Sequence, residues 1–133
     1  MSYVALYLAV AIPFVAVDAV WLKLMGQRFY LATIGDIARS EPNFWPALVF
    51  YLLYPLGLIA LAVLPAHAAA SSGRAAWLGL LFGFFTYATY DLTNQAVLRN
   101  WTTTLSIVDI AWGGLLGAGS AYCGYLAARQ FLV

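Results

Sequence analysis

Charge is the scarcest property of this 133-residue chain: Lys, Arg, Asp and Glu make up 8% of it, while 65% of its residues are hydrophobic. A water-soluble domain of this size has too much surface for its volume to bury that many apolar side chains. Lipid must therefore be the solvent for most of them, and the mean hydropathy of +0.87 agrees with this. The length fits a single membrane domain, residues 1–133.

Other scarcities exclude further classes of protein. The formal net charge is only +1, which leaves no basic face for a polyanion, so we expect no nucleic-acid partner. The one cysteine, Cys123, has no partner for an internal disulfide, and the one histidine, His67, is too little for a Cys/His metal cluster. The chain also has no glycine-rich phosphate loop and no Ser-His-Asp constellation.

Long apolar segments are what the chain has instead. Four of them reach the roughly 20 residues needed to cross about 30 Å of hydrocarbon, at about 3–25, 45–66, 76–98 and 105–128. Between the first two, Tyr30, Ile34 and Ile37 recur at helical spacing, which predicts a short helix in the membrane interface. The predicted fold is all-α: an integral membrane four-helix bundle with a short interfacial helix between spans one and two.

Basic residues near the span ends predict the orientation. Lys23, Arg28, Arg39 and Arg99 lie on the side of the first and third loops, and two arginines lie on the other side. The excess of positive charge predicts that the first and third loops are cytoplasmic, in a bacterial inner-membrane protein. Aromatic residues near that face, Tyr30 and Trp101 among them, fit an ordinary interfacial belt.

Two pairs of glycines predict how the helices pack. Gly79 and Gly83 are four residues apart in span three, and Gly113 and Gly117 are four apart in span four. Such small-xxx-small pairs let helices approach closely. We therefore expect spans three and four to be neighbours, and a homodimer of these glycine-rich helices to be a candidate assembly.

Three aspartates fall inside the predicted spans. Counting 1.5 Å per residue puts Asp18, Asp91 and Asp109 roughly 7–12 Å from the same membrane face, because successive spans alternate in direction. A charged carboxylate at such depth costs at least about 2.5 kcal/mol. The three must pair, protonate, bind a cation or face water, which predicts one intramembrane carboxylate cluster. The bland alternative is that each aspartate bonds a neighbouring Trp or Tyr and simply locks helices together.

The candidate site is built around this cluster. Tyr87, Asn94 and Gln95 share a helix face with Asp91. The candidate catalytic or metal-binding residues are Asp91, Asp109 and Asp18. The candidate ligand-binding residues are Asn94, Gln95, Tyr87, Trp21, Trp112, Arg99 and Lys23.

A short pattern occurs twice, in the first and last spans. Residues 17–21 and 108–112 both read V-D-x-x-W. The two segments run in opposite directions across the membrane, so an inverted repeat is one interpretation and a chance match the other.

Three chemistries suit the carboxylates. They could share a proton and activate water, since like charges held close together favour one protonated group. They could hold a divalent cation such as Mg²⁺ as a cofactor against a phosphate-bearing lipid. They could also relay protons or cations. The favoured interpretation is a protein that binds or acts on a membrane lipid or other amphiphile. A small transporter or proton/cation pathway, and a non-catalytic membrane assembly partner, are the alternatives. Whether the protein is an enzyme stays open.

Four motifs resemble those of a bacterial family of small integral membrane proteins classed as a domain of unknown function. They read D-x-x-W-L at 18–22, F-Y-x-x-Y-P at 50–55, T-Y-D-L-T-N at 89–94 and D-x-x-W-G at 109–113. The resemblance covers nearly the whole chain and implies a four-span inner-membrane protein, with no established activity. Asp91 and Asp109 also resemble, in layout only, the catalytic aspartates of signal peptidase II, whose flanking motifs are missing here.

Overall fold

A computed structural model describes residues 2–132 of the chain. The structure is 86% helical and has no β-strand in that range. The described residues form four long helical segments: α1 (Ser2–Ile34), α2 (Phe44–Ala68), α3 (Ser72–Val97) and α4 (Thr103–Phe131). The prediction of an all-α helical membrane bundle is confirmed.

Three of these helices, α1, α2 and α4, are long and apolar enough to cross a membrane by length and composition. Helix α3 has 26 residues but a lower hydropathy, because the polar stretch 86–95 occupies its C-terminal part. Its threonine hydroxyls are nevertheless satisfied inside the helix. Thr89 donates to the Phe85 carbonyl at 2.7 Å, and Thr93 donates to the Thr89 carbonyl at 2.5 Å. Such back-bonding lets a threonine face an apolar medium without a stranded hydroxyl.

The first connection differs from the predicted break after residue 25. The chain stays helical through a π-helical turn, Gly26–Tyr30, and the short helix Leu31–Ile34 continues α1 directly. Nothing in this stretch interrupts the backbone: it contains no proline, and Met25 and Leu31 on either side keep helical dihedral angles. The extension carries Tyr30 on the same continuous helix as Asp18.

Each of the other three helices has an N-terminal side-chain cap. Asn43 accepts a hydrogen bond from the Trp45 amide, Ser71 from the Arg74 amide and Thr102 from the Leu105 amide. Each cap satisfies one amide that the first helical turn leaves without a partner.

Helices α3 and α4 pack through the four predicted glycines, which confirms that these spans are neighbours. A Cβ on Gly79 would overlap the Gly117 carbonyl, and a Cβ on Gly83 would overlap the Gly113 carbonyl. The backbones are therefore in direct contact. Because these glycines are used inside one chain, they lend no support to the predicted homodimer.

The two ends of the bundle differ in polarity. The end that holds the α2–α3 connection is filled by an apolar core of fully buried side chains, which includes Leu6, Val10, Leu58 and Val63. The opposite end, where α1 finishes and α4 begins, holds the buried aspartates. The three buried aspartates are thus collected in one half of the bundle.

Candidate functional site

A cavity of about 320 Å³ lies in the polar half of the bundle, and we call it the aromatic cavity. Its walls come from all four helices and from the α3–α4 loop, and eight of its twelve lining residues are aromatic: Trp21, Tyr30, Phe50, Tyr51, Tyr87, Tyr90, Trp101 and Trp112. The other four are Asp18, Asp109, Leu22 and Ile34. A second lobe of about 470 Å³ shares Phe50, Tyr87, Tyr90 and Asp109 with the first and adds Tyr54 and Thr86.

Asp18 is held by donors from two other helices. Its side chain is 5% exposed. The Tyr51 hydroxyl of α2 donates to Oδ2 at 2.7 Å, and the Trp112 indole N–H of α4 donates to Oδ1 at 3.0 Å. Both carboxylate oxygens therefore have a neutral donor, and Asp18 ties three helices together.

Asp109 is held by the extension of α1. Its side chain is 7% exposed, and Oδ1 accepts a hydrogen bond from the Tyr30 hydroxyl. The Trp21 indole N–H donates in turn to the Tyr30 oxygen at 2.9 Å. The π-helical turn thus has a direct role here, because it presents Tyr30 to the carboxylate at the start of α4.

The two V-D-x-x-W segments interlock around a pair of stacked indoles. Trp21 and Trp112 lie with ring centroids 4.2 Å apart and planes 6° apart. Each tryptophan is hydrogen-bonded, directly or through one residue, to the aspartate of the other segment. Trp112 donates to Asp18, and Trp21 donates to Tyr30, which in turn donates to Asp109. This reciprocal arrangement gives the repeated pattern a shared structural role, whereas the inverted repeat itself stays a prediction.

Asp91 lies behind Asp109, between α3 and α4. It is fully buried, and it lines neither lobe of the cavity. Within residues 2–132, neither of its carboxylate oxygens receives an N–H or O–H donor, and its neighbour is the carboxyl group of Asp109. Two neighbouring carboxyl groups favour a shared proton or a cation between them, because like charges held close together repel.

The three predicted carboxylates do not form one metal-ligand set. Asp91 and Asp109 are in contact, but Asp18 is engaged through both oxygens by Tyr51 and Trp112. Among the described residues, no group of three or more His, Cys, Asp or Glu side chains is arranged to hold a metal ion. Mg²⁺ usually takes one or two protein carboxylates and completes its shell with water or phosphate oxygens, so Asp91 and Asp109 remain the candidate pair for it.

Two of the candidate residues on the Asp91 face, Tyr87 and Gln95, lie in different surroundings. Tyr87 lines both lobes, and its ring lies against Gly113, where a Cβ would overlap it. Gln95 instead joins α3 to α4: its amide nitrogen donates to Thr103 at 2.8 Å, and its oxygen accepts from Ser106 at 2.8 Å. The Gln95 side chain is therefore engaged within the protein and lines neither lobe.

The remaining candidates divide in the same way. Trp21 and Trp112 line the cavity, as described above. Asn94 is half-buried and lines neither lobe. Lys23 is exposed outside the cavity, and Arg99 is exposed in a separate surface groove beside Asp36. The structure does not bring the two basic residues to the carboxylates.

Sequence reasoning missed the tyrosines that bond the carboxylates. Tyr51 belongs to the F-Y-x-x-Y-P motif, so its resemblance to a family motif was an available signal. Tyr30 was interpreted as part of an interfacial belt and an interfacial helix. No local signal marks it, because its role depends on the π-helical turn that keeps α1 continuous.

Comparison with protein families finds one match over most of the chain. The family model described as "Predicted membrane protein (DUF2177)" matches residues 3–126. Comparison with curated proteins finds no match, and comparison with solved structures finds none either.

Proposed function

The chain belongs to the DUF2177 family of predicted membrane proteins, and we propose that its aromatic cavity holds the polar head of a lipid or other amphiphile. The main support for this proposal is a concave, mostly aromatic cavity that is lined by two buried carboxylates from different helices. A mostly apolar pocket with a few convergent polar groups is the usual form of a small-molecule site.

The cross-helix bonding of the aspartates supports a site over simple helix locking. Asp18 bonds residues of α2 and α4, and Asp109 bonds a residue of α1, yet both side chains line the same cavity. If locking were their only role, the carboxylates would need no shared cavity beside them.

The polarity of the bundle supports binding over transport. A transport pathway needs polar surface toward both faces of the membrane. Here the half of the bundle away from the cavity is packed with apolar side chains such as Leu6, Val10 and Val63, all fully buried. An amphiphile that enters from one face, or from the lipid, needs no path through that core.

Roles for the carboxylates follow from their positions. Asp109 lines both lobes, so it is the carboxyl group that would contact a bound head group in either lobe. Asp91 supplies a second carboxyl next to it. Asp18 positions Tyr51 and Trp112, which line the same cavity.

The membrane setting is also part of the proposal. Lys23 and Arg99 lie at the cavity end of the bundle, and Arg74 and Arg129 lie at the other end. With Arg28 and Arg39 on the cavity side as well, the positive-inside rule makes that end cytoplasmic in a bacterial inner membrane.

Co-purifying amphiphiles test this function. The wild-type protein, Asp109→Asn and the control Asp36→Asn, which changes an exposed carboxylate outside the cavity, are purified from the same membranes and extracted for mass spectrometry. We expect one amphiphile class to be enriched with the wild-type and control proteins and depleted with Asp109→Asn. The same amphiphiles in the same amounts with all three proteins would contradict the proposal.

A further inference from the structure

The aromatic cavity has an unbalanced charge. Two carboxylates line it, and within residues 2–132 no Lys, Arg or His side chain is among its lining residues. Next to Asp109, the fully buried Asp91 has no hydrogen-bond donor from the described residues. Buried carboxylates in a membrane bundle are normally paired with a counter-charge or face water. Residues 2–132 thus bring no positive group to the lining of this cavity.

The hydrogen bonds in the cavity orient the carboxylates without neutralising them. The donors to Asp18 and Asp109 are the hydroxyls of Tyr51 and Tyr30 and the indole of Trp112. All of these are neutral groups, so they supply no positive charge to balance the carboxylates. A ligand that carries a positive charge would complete the balance.

The walls favour an organic cation over a metal ion. Three tryptophans, four tyrosines and one phenylalanine surround the space, and aromatic faces attract ammonium groups through their electron-rich rings. A quaternary ammonium group donates no hydrogen bonds, so it needs no free lone pair on Asp18, whose oxygens already accept from Tyr51 and Trp112. A hard metal ion takes several oxygen ligands, whereas most of this lining is aromatic and only Asp18 and Asp109 bring carboxylates to it.

From these observations we infer that the aromatic cavity binds an organic ammonium head group, with the attached apolar part in the second lobe beside Phe50 and Tyr54. This inference rests on the proposed function, because it specifies the amphiphile that occupies the same cavity. The volume of about 320 Å³ lies at the lower end of the range of small-molecule pockets, which suits a compact head group.

A pair of isosteric probes tests the inference. The full chain is purified in an uncharged maltoside detergent and titrated with an alkyl trimethylammonium amphiphile. It is titrated in parallel with the same alkyl chain bearing a tert-butyl head, in which carbon replaces the charged nitrogen. Quenching of tryptophan fluorescence reports binding, because Trp21 and Trp112 line the cavity. We expect the ammonium probe to bind about tenfold more tightly or better.

Two variants locate the effect. Asp109→Asn should lose most of the preference for the charged probe, whereas the exposed Asp36→Asn should keep it; circular dichroism confirms that both variants are folded. Equal affinity for the two probes would overturn the ammonium inference and leave the amphiphile proposal intact. Binding of neither probe would overturn both. A charge preference unaffected by Asp109→Asn would also overturn the inference, because the cation would then be bound elsewhere.

Discussion

Replacing Gly117 by alanine probes the backbone contact between α3 and α4. A Cβ at this position would overlap the Gly79 carbonyl and crowd the Cα of Gly83 across the α3–α4 interface. Two residues further along the same helix, Gly119 is exposed, and a Cβ there would have no heavy atom within 4 Å. The same substitution at Gly119 is therefore a matched control.

The expected change in the free energy of unfolding comes from two opposing effects. Alanine is favoured over glycine in a helix by about 1 kcal/mol, and this gain is common to both variants. Overpacking a tight contact costs about 1–3 kcal/mol, and Gly117 belongs at the upper end because the atoms it meets are backbone that cannot rotate away. Gly119→Ala should thus be neutral or slightly stabilising, and Gly117→Ala should be about 2–3 kcal/mol less stable than Gly119→Ala.

Unfolding by SDS in mixed micelles, followed by circular dichroism, measures this difference. A gap of about 2–3 kcal/mol is a factor of roughly 30 to 150 in the unfolding equilibrium, well within the range of such titrations. Equal stability of the two variants would refute the reasoning, since it would mean that α3 and α4 are not in backbone contact at Gly117. A loss confined to Gly119→Ala would refute it more strongly.

Three further substitutions test the site and the helix start by the same unfolding assay. Asp91→Asn should be at least as stable as the wild-type protein, because its amide N–H can donate to Asp109 where two carboxyl groups need a proton between them. Trp112→Phe should lose about 1–3 kcal/mol, because it leaves the buried Oδ1 of Asp18 without its donor. Thr102→Ala should lose about 1 kcal/mol, because it removes the N-cap of α4.

Each of these predictions has its own contrary result. A loss above about 2 kcal/mol in Asp91→Asn would mean that the Asp91–Asp109 contact does not need a donated hydrogen. Trp45 is 72% exposed, so Trp45→Phe is the control for the indole change, and equal losses at Trp45 and Trp112 would contradict the role given to the Asp18 bond. An unchanged stability in Thr102→Ala would mean that water caps this helix equally well.

The sequence predicted the parts of the fold that follow from periodicity and residue size. Long apolar runs predicted the helices, and the glycine spacing predicted the α3–α4 contact, because both depend on short-range pattern alone. Counting residues also places Asp18, Asp91 and Asp109 toward the same end of the bundle, but their membership of one functional layer stays a prediction. What counting does not fix is the rotation of each helix about its axis. For that reason Asp91 was expected at the centre of the site, whereas it lies behind Asp109.

Long-range contacts account for the other differences. Gln95 has the right spacing to share a face with Asp91, but its partners Thr103 and Ser106 come from the next helix. Arg99 follows α3 closely in sequence, yet the loop directs it to a surface groove with Asp36. The positions of Gln95 and Arg99 depend on how two helices pack together, and the periodicity of a single helix does not predict that packing.

Because α1 contains the π-helical turn Gly26–Tyr30, the number of residues in this helix determines where the Tyr30 side chain lies. Such a turn is in effect an α-helix that carries one additional residue. Losing that residue would rotate everything after it by about 100° relative to the rest of the helix. Tyr30 would then swing away from Asp109, although no residue of the cavity had changed. The number of residues in Gly26–Tyr30, and not only the identity of the cavity side chains, therefore determines whether Tyr30 reaches Asp109. We expect a one-residue deletion in Gly26–Tyr30 to disturb the site more than a one-residue deletion in the irregular segment that follows Ile34.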